Sequence, residues 1–571
     1  MEKRTSKKPS YLDEYEAVHG ESSNSSEEDD KPLSYNSQEY LPSDPTSSDE
    51  EILDENRKSK RNKKYHAQST FYDEDWLEKE KFSDSPCSFQ TVEQLQQIVG
   101  GPKEIHVGSI NSYMDMIPFV FNSIFGELVE KIISDSNEYC SVNKVIFNNQ
   151  KHIFKFEKQD ILNWLAIWLV MGLTRYPMKD LYWSTKERTC NGIYGSQFIQ
   201  ETMGMKKWKH INRFIHCDIE YMGKWFHSKT SSCWTPSQKI SIDDDLYLWT
   251  GRGGSKKKID RKADGTGVLS WNATDSFGFT YLMFWDSEIK DVPSSDLKSE
   301  YILKKMDQYI PQGDYIFIID AGILGRYSNA LYLHGKNRKF VISCPANNPS
   351  KLFAKKLHKN IEKHETHTLY NDRMCALSYY AKKVKCQPKI INFLFNLGGL
   401  VDQIEHSTWD KACANTVTVM RPKVIPFYNY SHNSVDRVKS IVSRVRNPFR
   451  NRRPFRAMMH AMIYNMLHNT FLIVTKLTTC PSGFRFRAFI QILVQAIRSK
   501  KTIPKASPTH TLVYHKLETH KSLRRRCCMC GQVTSFYCST CSSMPKQILF
   551  MCKELCNIRY HNPLVTISEF E

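Results

Sequence analysis

The amino-acid sequence predicts an α/β protein, a mixed β-sheet flanked by helical segments, with a non-globular start and a cysteine-rich end. Up to about residue 238 apolar residues recur at helical spacing; beyond it, short aromatic and β-branched runs read as strands. Helical periodicity returns past residue 421. A chain of 571 residues, 40% hydrophobic and 12% aromatic, can bury a large shared core between such layers.

The first 60 residues hold 8 Lys+Arg against 16 Asp+Glu, a net of −8, so the remainder of this +19 chain carries +27. Glu21-Ser22-Ser23-Asn24-Ser25-Ser26-Glu27-Glu28-Asp29-Asp30 has no apolar periodicity and cannot offset its ordering entropy. Residues 1–100 therefore read as a disordered tail, either a solvated spacer or an acidic segment competing with nucleic acid for the basic body. Within it, Arg57-Lys58-Ser59-Lys60-Arg61-Asn62-Lys63-Lys64 suits a nuclear import receptor, or is simply a basic linker. No apolar run reaches 18 residues, and no apolar stretch follows Met1, so neither a membrane span nor a secretory leader is expected. A nuclear location is expected instead.

Met114, Ile117, Phe121, Ile124, Phe125, Leu128 and Ile132 form the stripe of a core-facing helix. Ile161 to Leu169 is apolar nearly all round, hence a central helix, and a third helix is predicted over 208–219. Strands are predicted at 239–243, 267–273, 279–285, 315–320 and 340–343, and helices at 435–445 and 455–476. The resulting division is a helical part at 101–238, a sheet core at 239–345, an insertion at 346–420, a return to core and helices at 421–510, and a terminal module at 511–571.

Asp243 and Asp320 each close a predicted strand, and Asp436 opens an amphipathic helix. Three such carboxylates brought together could hold two Mg²⁺ ions about 4 Å apart and activate a water or 3′-hydroxyl on a phosphodiester. An Asp at a strand end is also an ordinary turn residue or cap.

The terminal module has Cys527-x₂-Cys530, Cys538-x₂-Cys541, Cys552-x₃-Cys556 and His561. Paired thiolates at this spacing suit tetrahedral Zn²⁺, and a count near eight ligands implies two structural ions. The pairing of ligands with metals stays open. A ubiquitin-ligase RING is the rival, but its central His is missing and the seven residues between Cys530 and Cys538 are short for it. Arg437, Lys439, Arg444, Arg446, Arg450, Arg452, Arg453 and Arg456, interleaved with Phe449 and Phe455, form a basic block for phosphate contact or a solvated charged face.

Four segments resemble the piggyBac-type transposase family. They are Ile242-Asp243-Asp244 with Leu246 to Gly251-Arg252, Phe317-Ile318-Ile319-Asp320, Arg421-Pro422-Lys423-Val424-Ile425-Pro426-Phe427-Tyr428-Asn429 before Val435-Asp436, and Val170-Met171-Gly172-Leu173 with Tyr182-Trp183-Ser184. The resemblance covers about residues 110 to 561. It implies a ribonuclease H-like core with Asp243, Asp320 and Asp436 as a DDE/DDD-type catalytic triad on Mg²⁺, and a helical dimerisation and DNA-binding domain. It also implies double-stranded DNA as partner, a homodimer, and cut-and-paste transposition at TTAA. The cysteine-rich end resembles the family's cross-brace finger, which makes His515 the eighth zinc ligand, with His520 or Cys528 as alternatives.

The departures fall close to the triad. The family's fourth Asp is Lys439 here, an ammonium on the face of Asp436 that at ~6 Å and a dielectric of ~20 costs a divalent ion about 5 kcal/mol. Ala321-Gly322, Asn433-Ser434, Thr250 and Leu269 replace other family residues. The sequence thus predicts a nuclear, transposase-derived DNA-binding protein with impaired catalysis. An active Mg²⁺-dependent transposase and a zinc-finger chromatin or protein-interaction module without catalysis are the alternatives.

Overall fold

The computed structural model describes residues 82–498 apart from short internal stretches, and beyond residue 511 the backbone of short strands alone. The stripe beginning at Met114 becomes α1 (Tyr113–Val142), whose N-cap Ser112 accepts the Met114 amide. The all-apolar run becomes α2 (Lys158–Thr174), with Ile161 to Val170 buried on every side except at Leu162. Gly172 lets α2 touch the chain near Val445, since a Cβ there would stand 1.9 Å from the Val445 carbonyl. A short helix α3 (Gln197–Thr202) precedes α4 (Met205–Phe214). The predicted 208–219 helix stops early because Asp218 caps a new one, α5 (Ile219–Cys233), by accepting the Glu220 amide at 3.0 Å.

Strands β1 (Lys239–Leu248), β2 (Thr266–Asp275) and β3 (Thr280–Trp285) form an antiparallel meander. Helix α6 (Lys298–Asp307) leads to β4 (Ile316–Ile319), which lies parallel to β1, and α7 (Tyr327–Gly335) leads to β5 (Lys339–Cys344), parallel to β4. Beyond them come β6 (Thr366–Tyr370), β7 (Cys375–Val384) and β8 (Gln387–Phe395). Among the described residues these build one nine-stranded mixed sheet in the order β2–β1–β4–β5–β8–β7–β6, with β3 and the pair Lys257–Lys258 also on β2. Within the expected insertion at 346–420, β8 pairs with β5 and extends the core sheet.

Alternation along β4 divides the interior. Phe317 and Ile319 join the core shared with the helices, whereas Ile316 and Ile318 join a second core with Leu377, Phe393 and Val424. Each such fully buried side chain contributes about 1.5–3 kcal/mol. A two-stranded ribbon, β9 (Gln403–Asp410) and β10 (Asn415–Pro422), precedes helices α8 (Val424–His432) and α9 (Ser434–Ser443). Helix α10 (Pro454–Leu477), with Pro at its start, and α11 (Phe486–Ile497) complete the unit. Helix α10 is clamped to the meander: Asn469 accepts the Thr280 amide at 2.9 Å and donates to its carbonyl at 2.8 Å.

Part of the expected disordered tail is ordered. Residues 82–100 lie on the sheet, anchored by buried Phe82 and Leu95 and by reciprocal 2.8 Å backbone bonds between Ser83 and Tyr370. Two apolar anchors and a backbone bridge outweigh a polar average composition here; residues 1–81, including the basic run, lie outside the described residues. Residues 500–571 form a second unit, in which Leu512–Tyr514 pairs with Phe536–Cys538 and Arg525–Arg526 with Val533–Thr534. Among the described residues no helix is long and apolar enough to cross a membrane.

Candidate functional site

β1 does not end at Asp243, as the sequence suggests, but runs on to Leu248. What ends there is its parallel neighbour. The β1–β4 register closes at Ile242 opposite Ile319, so Asp243 and Asp320 follow one another across the same strand pair. Each carboxylate folds back on the next amide: Asp243 Oδ1 accepts from Asp244 N and Asp320 Oδ1 from Ala321 N, both at 2.7 Å. The third aspartate, Asp436, lies in the first turn of α9, where the helix dipole favours a negative charge, and α9 packs on β1 and β2.

Two residues of α8 knit these elements together. The Tyr428 hydroxyl donates to Asp320 Oδ1 at 2.9 Å, and the His432 ring stacks on Tyr428 with centroids 4.4 Å apart. Ser241, two residues before Asp243 on the same face of β1, donates to the His432 carbonyl at 2.8 Å. Burial first, then Asp320 and Asp243, pushes the Tyr428 phenol well above its ordinary range. Burial lowers the His432 imidazole although Asp320 and Asp436 pull the other way. All three aspartates are thus felt within one Tyr428–His432 pair. Sequence reading assigned neither residue a role; their i, i+4 spacing was the available signal.

Asp245 is the other residue it passed over. One pleat repeat beyond Asp243, buried Asp245 meets the Lys439 ammonium at 2.6 Å. Lys439 is therefore not a bare charge beside the triad, and the full repulsion expected from it does not apply, because Asp245 pairs with it. Burial, then Asp245, raises the neighbouring Tyr247 phenol well above its ordinary range.

The donor set does not fit Mg²⁺ as arranged. Asp320 Oδ1 is taken by the Tyr428 hydroxyl and the Ala321 amide, and Asp436 is exposed on its helix. Among the described residues no three His, Cys, Asp or Glu side chains stand where they could hold one metal ion.

The basic block divides. Arg444 and Arg453 are exposed; Arg446 is half-buried and lines a cavity with Arg175, Trp168, Phe449, His460 and Tyr464. Arg456 turns inward: it donates to the Arg213 carbonyl at 2.8 Å, and burial, then Arg453, lowers its pKa to about 10. Arg456 thus makes a structural contact with the helical part from the start of α10. Phe449 is buried core rather than an interleaved surface ring. Arg450 and Arg452 lie outside the described residues, as do His515, Cys527, Cys530, Cys541, Cys552, Cys556 and His561. Of Cys538 the structure describes the backbone alone, at the end of its strand.

A mixed sheet enclosed by helices, in which Asp243 and Asp320 follow the last paired residues of two parallel strands, defines an α/β protein with an acidic site. The family model described as Transposase IS4 matches residues 119–471, and the chain belongs to that family. Among solved structures it is similar to a piggyBac transposase in a synaptic complex with hairpin DNA, with a TM-score of 0.58 and 14% identity over 80% of this chain and 99% of that one.

Proposed function

We propose that this chain is a nuclear, DNA-binding protein derived from a piggyBac-type transposase, with a ribonuclease H-like core whose strand-cleaving chemistry is impaired. The observation that carries this reading is the Lys439–Asp245 ion pair, which puts an ammonium in place of a further carboxylate on the helix that carries Asp436 and occupies Asp245. Asp243, Asp320 and Asp436 are the residues that a Mg²⁺-dependent reaction would need, and among the described residues they do not stand together as a group that could hold one metal ion. Double-stranded DNA is the partner, with Arg444, Arg446, Arg453 and Arg456 on the basic block, joined by Arg450 and Arg452, making the backbone contacts. A homodimer, a cross-brace finger holding two Zn²⁺ on His515, the six cysteines and His561, and import through the Arg57 to Lys64 run belong to the same reading.

The test uses the full chain with duplex DNA carrying TTAA-flanked ends, with and without Mg²⁺. Expected are duplex binding whose log affinity falls with log salt, at a slope of about −0.9 per neutralised phosphate, and no cut strand. Cleavage product that disappears with Asp320→Asn would establish an active transposase instead. A flat salt dependence would favour a protein-interaction module.

A further inference from the structure

Where α8, α9 and the β2–β3 turn meet, two rings stand in solvent among three cations. Tyr430 is 70% exposed and Phe277 40% exposed. Lys239 Nζ lies 4.0 Å from the Phe427 ring centroid and 5.5 Å from that of Tyr430; Lys476 Nζ lies 4.3 Å from that of Phe277. The two ends are joined. Ser276 donates to the Lys239 carbonyl at 3.4 Å, and Arg437 donates to the Ser276 carbonyl at 3.1 Å. Tyr430, Lys239, Arg437, Phe277 and Lys476 therefore make one continuous strip.

Phe277 is held in place. Its amide donates to buried Asp275 at 2.9 Å, its ring meets Trp234 edge-on at 6.1 Å, and Gly278 turns the chain behind it at φ +87°. A turn that fixes an apolar ring in water has already met the ordering cost of using it for contact. Two exposed π-faces with ammonium and guanidinium groups between them match a polyanion whose bases are unstacked, because a duplex keeps its base faces covered.

We propose that this strip binds single-stranded DNA, with bases on Tyr430 and Phe277 and phosphates on Lys239, Arg437 and Lys476. Asp436, exposed beside Arg437, opposes a phosphate at that point, and Lys239 is half-buried, which leaves exposed Lys476 as the stronger backbone contact. The proposal rests on the DNA-binding reading above and extends it to a strand state and a surface outside the basic block.

Fluorescence anisotropy of the full chain with a labelled single-stranded oligonucleotide and, separately, a labelled duplex tests it. Tyr430→Ala and Phe277→Ala are each expected to weaken single-strand binding about tenfold while leaving duplex affinity within about twofold, and Tyr430→Trp to restore it. Lys476→Met should flatten the single-strand salt slope by about 0.7. Single-strand affinity unchanged in the Tyr430→Ala/Phe277→Ala double variant, with duplex binding intact and an unaltered circular dichroism spectrum, would overturn the strip and leave the DNA-binding reading standing. Absence of duplex binding by the unmodified chain would remove that reading itself.

Discussion

Asp243 and Asp245 share one face of one strand, two residues apart, yet the protein treats their charges in opposite ways. Asp243 is half-exposed where its parallel neighbour ends, and its Oδ1 binds the next amide. Asp245 is buried and meets an ammonium carried by α9. A carboxylate taken out of water must be compensated or discharged, whereas one left half-exposed keeps part of its hydration. Along a single pleat, therefore, one aspartate serves the packing of a helix and the other faces the site.

The sharpest way to break this contrast is to remove the cation. Lys439→Met leaves Asp245 without its ammonium and is expected to destabilise the protein by about 3–5 kcal/mol in urea unfolding. Adding Asp245→Asn to it should recover most of that loss, because two neutral groups of similar size need no counter-ion. If Lys439→Met costs no more than a surface substitution, the pair is incidental and the asymmetry with Asp243 dissolves.

A third solution to buried charge is neutrality, and the helical part uses it. Burial depresses the His227 and His468 imidazoles from 6.5 to about 4. Their folded values lie below the unfolded one, so the stability they lend is complete above about pH 6.5 and is lost as pH falls toward 4. Each should remove up to about 3 kcal/mol over that window. Unfolding midpoints measured from pH 7 to pH 4 should drop accordingly, and His468→Gln should flatten the profile. A flat profile in the unmodified chain would mean that these rings are reached by water and that counter-charge and exposure are the devices in use.

How much of this was legible beforehand follows from the distance over which each feature is encoded. The α1 stripe, the apolar α2 run and the five strands of the meander and parallel pair depend on local periodicity, and their positions match the structure within a few residues, except that β1 runs on past Asp243 to Leu248. Helix α5 was hidden because its start is a single capping residue, Asp218, at the end of a short break after Phe214. Strands β6 to β8 were hidden because nothing local says that they join β5 across an intervening loop. At the site, the place of Asp320 at a strand end was readable from β4 itself. The true surroundings of Asp243 were not, since they depend on where β4 stops rather than where β1 does. Asp245–Lys439 and Tyr428–Asp320 link residues 194 and 108 positions apart, which no spacing rule reaches.

The smallest effect separates the two carboxylates of the site itself. Asp320 accepts a hydrogen bond from a buried tyrosine, so Tyr428→Phe removes a donor to a charged acceptor and should cost about 1.5–3 kcal/mol. Asp243, half-exposed and bonded to its neighbour's amide, should tolerate Asp243→Asn within about 0.5 kcal/mol, the range of a surface change. The phenol is itself pushed well above its ordinary range, chiefly by burial, so it keeps its proton and remains a donor throughout the pH range of such an experiment. Urea midpoints for the two variants at one pH therefore test whether Tyr428 organises the site. Equal small losses would make the 2.9 Å contact a bystander, and a large loss for Asp243→Asn would show that its carboxylate holds the β1–β4 end together.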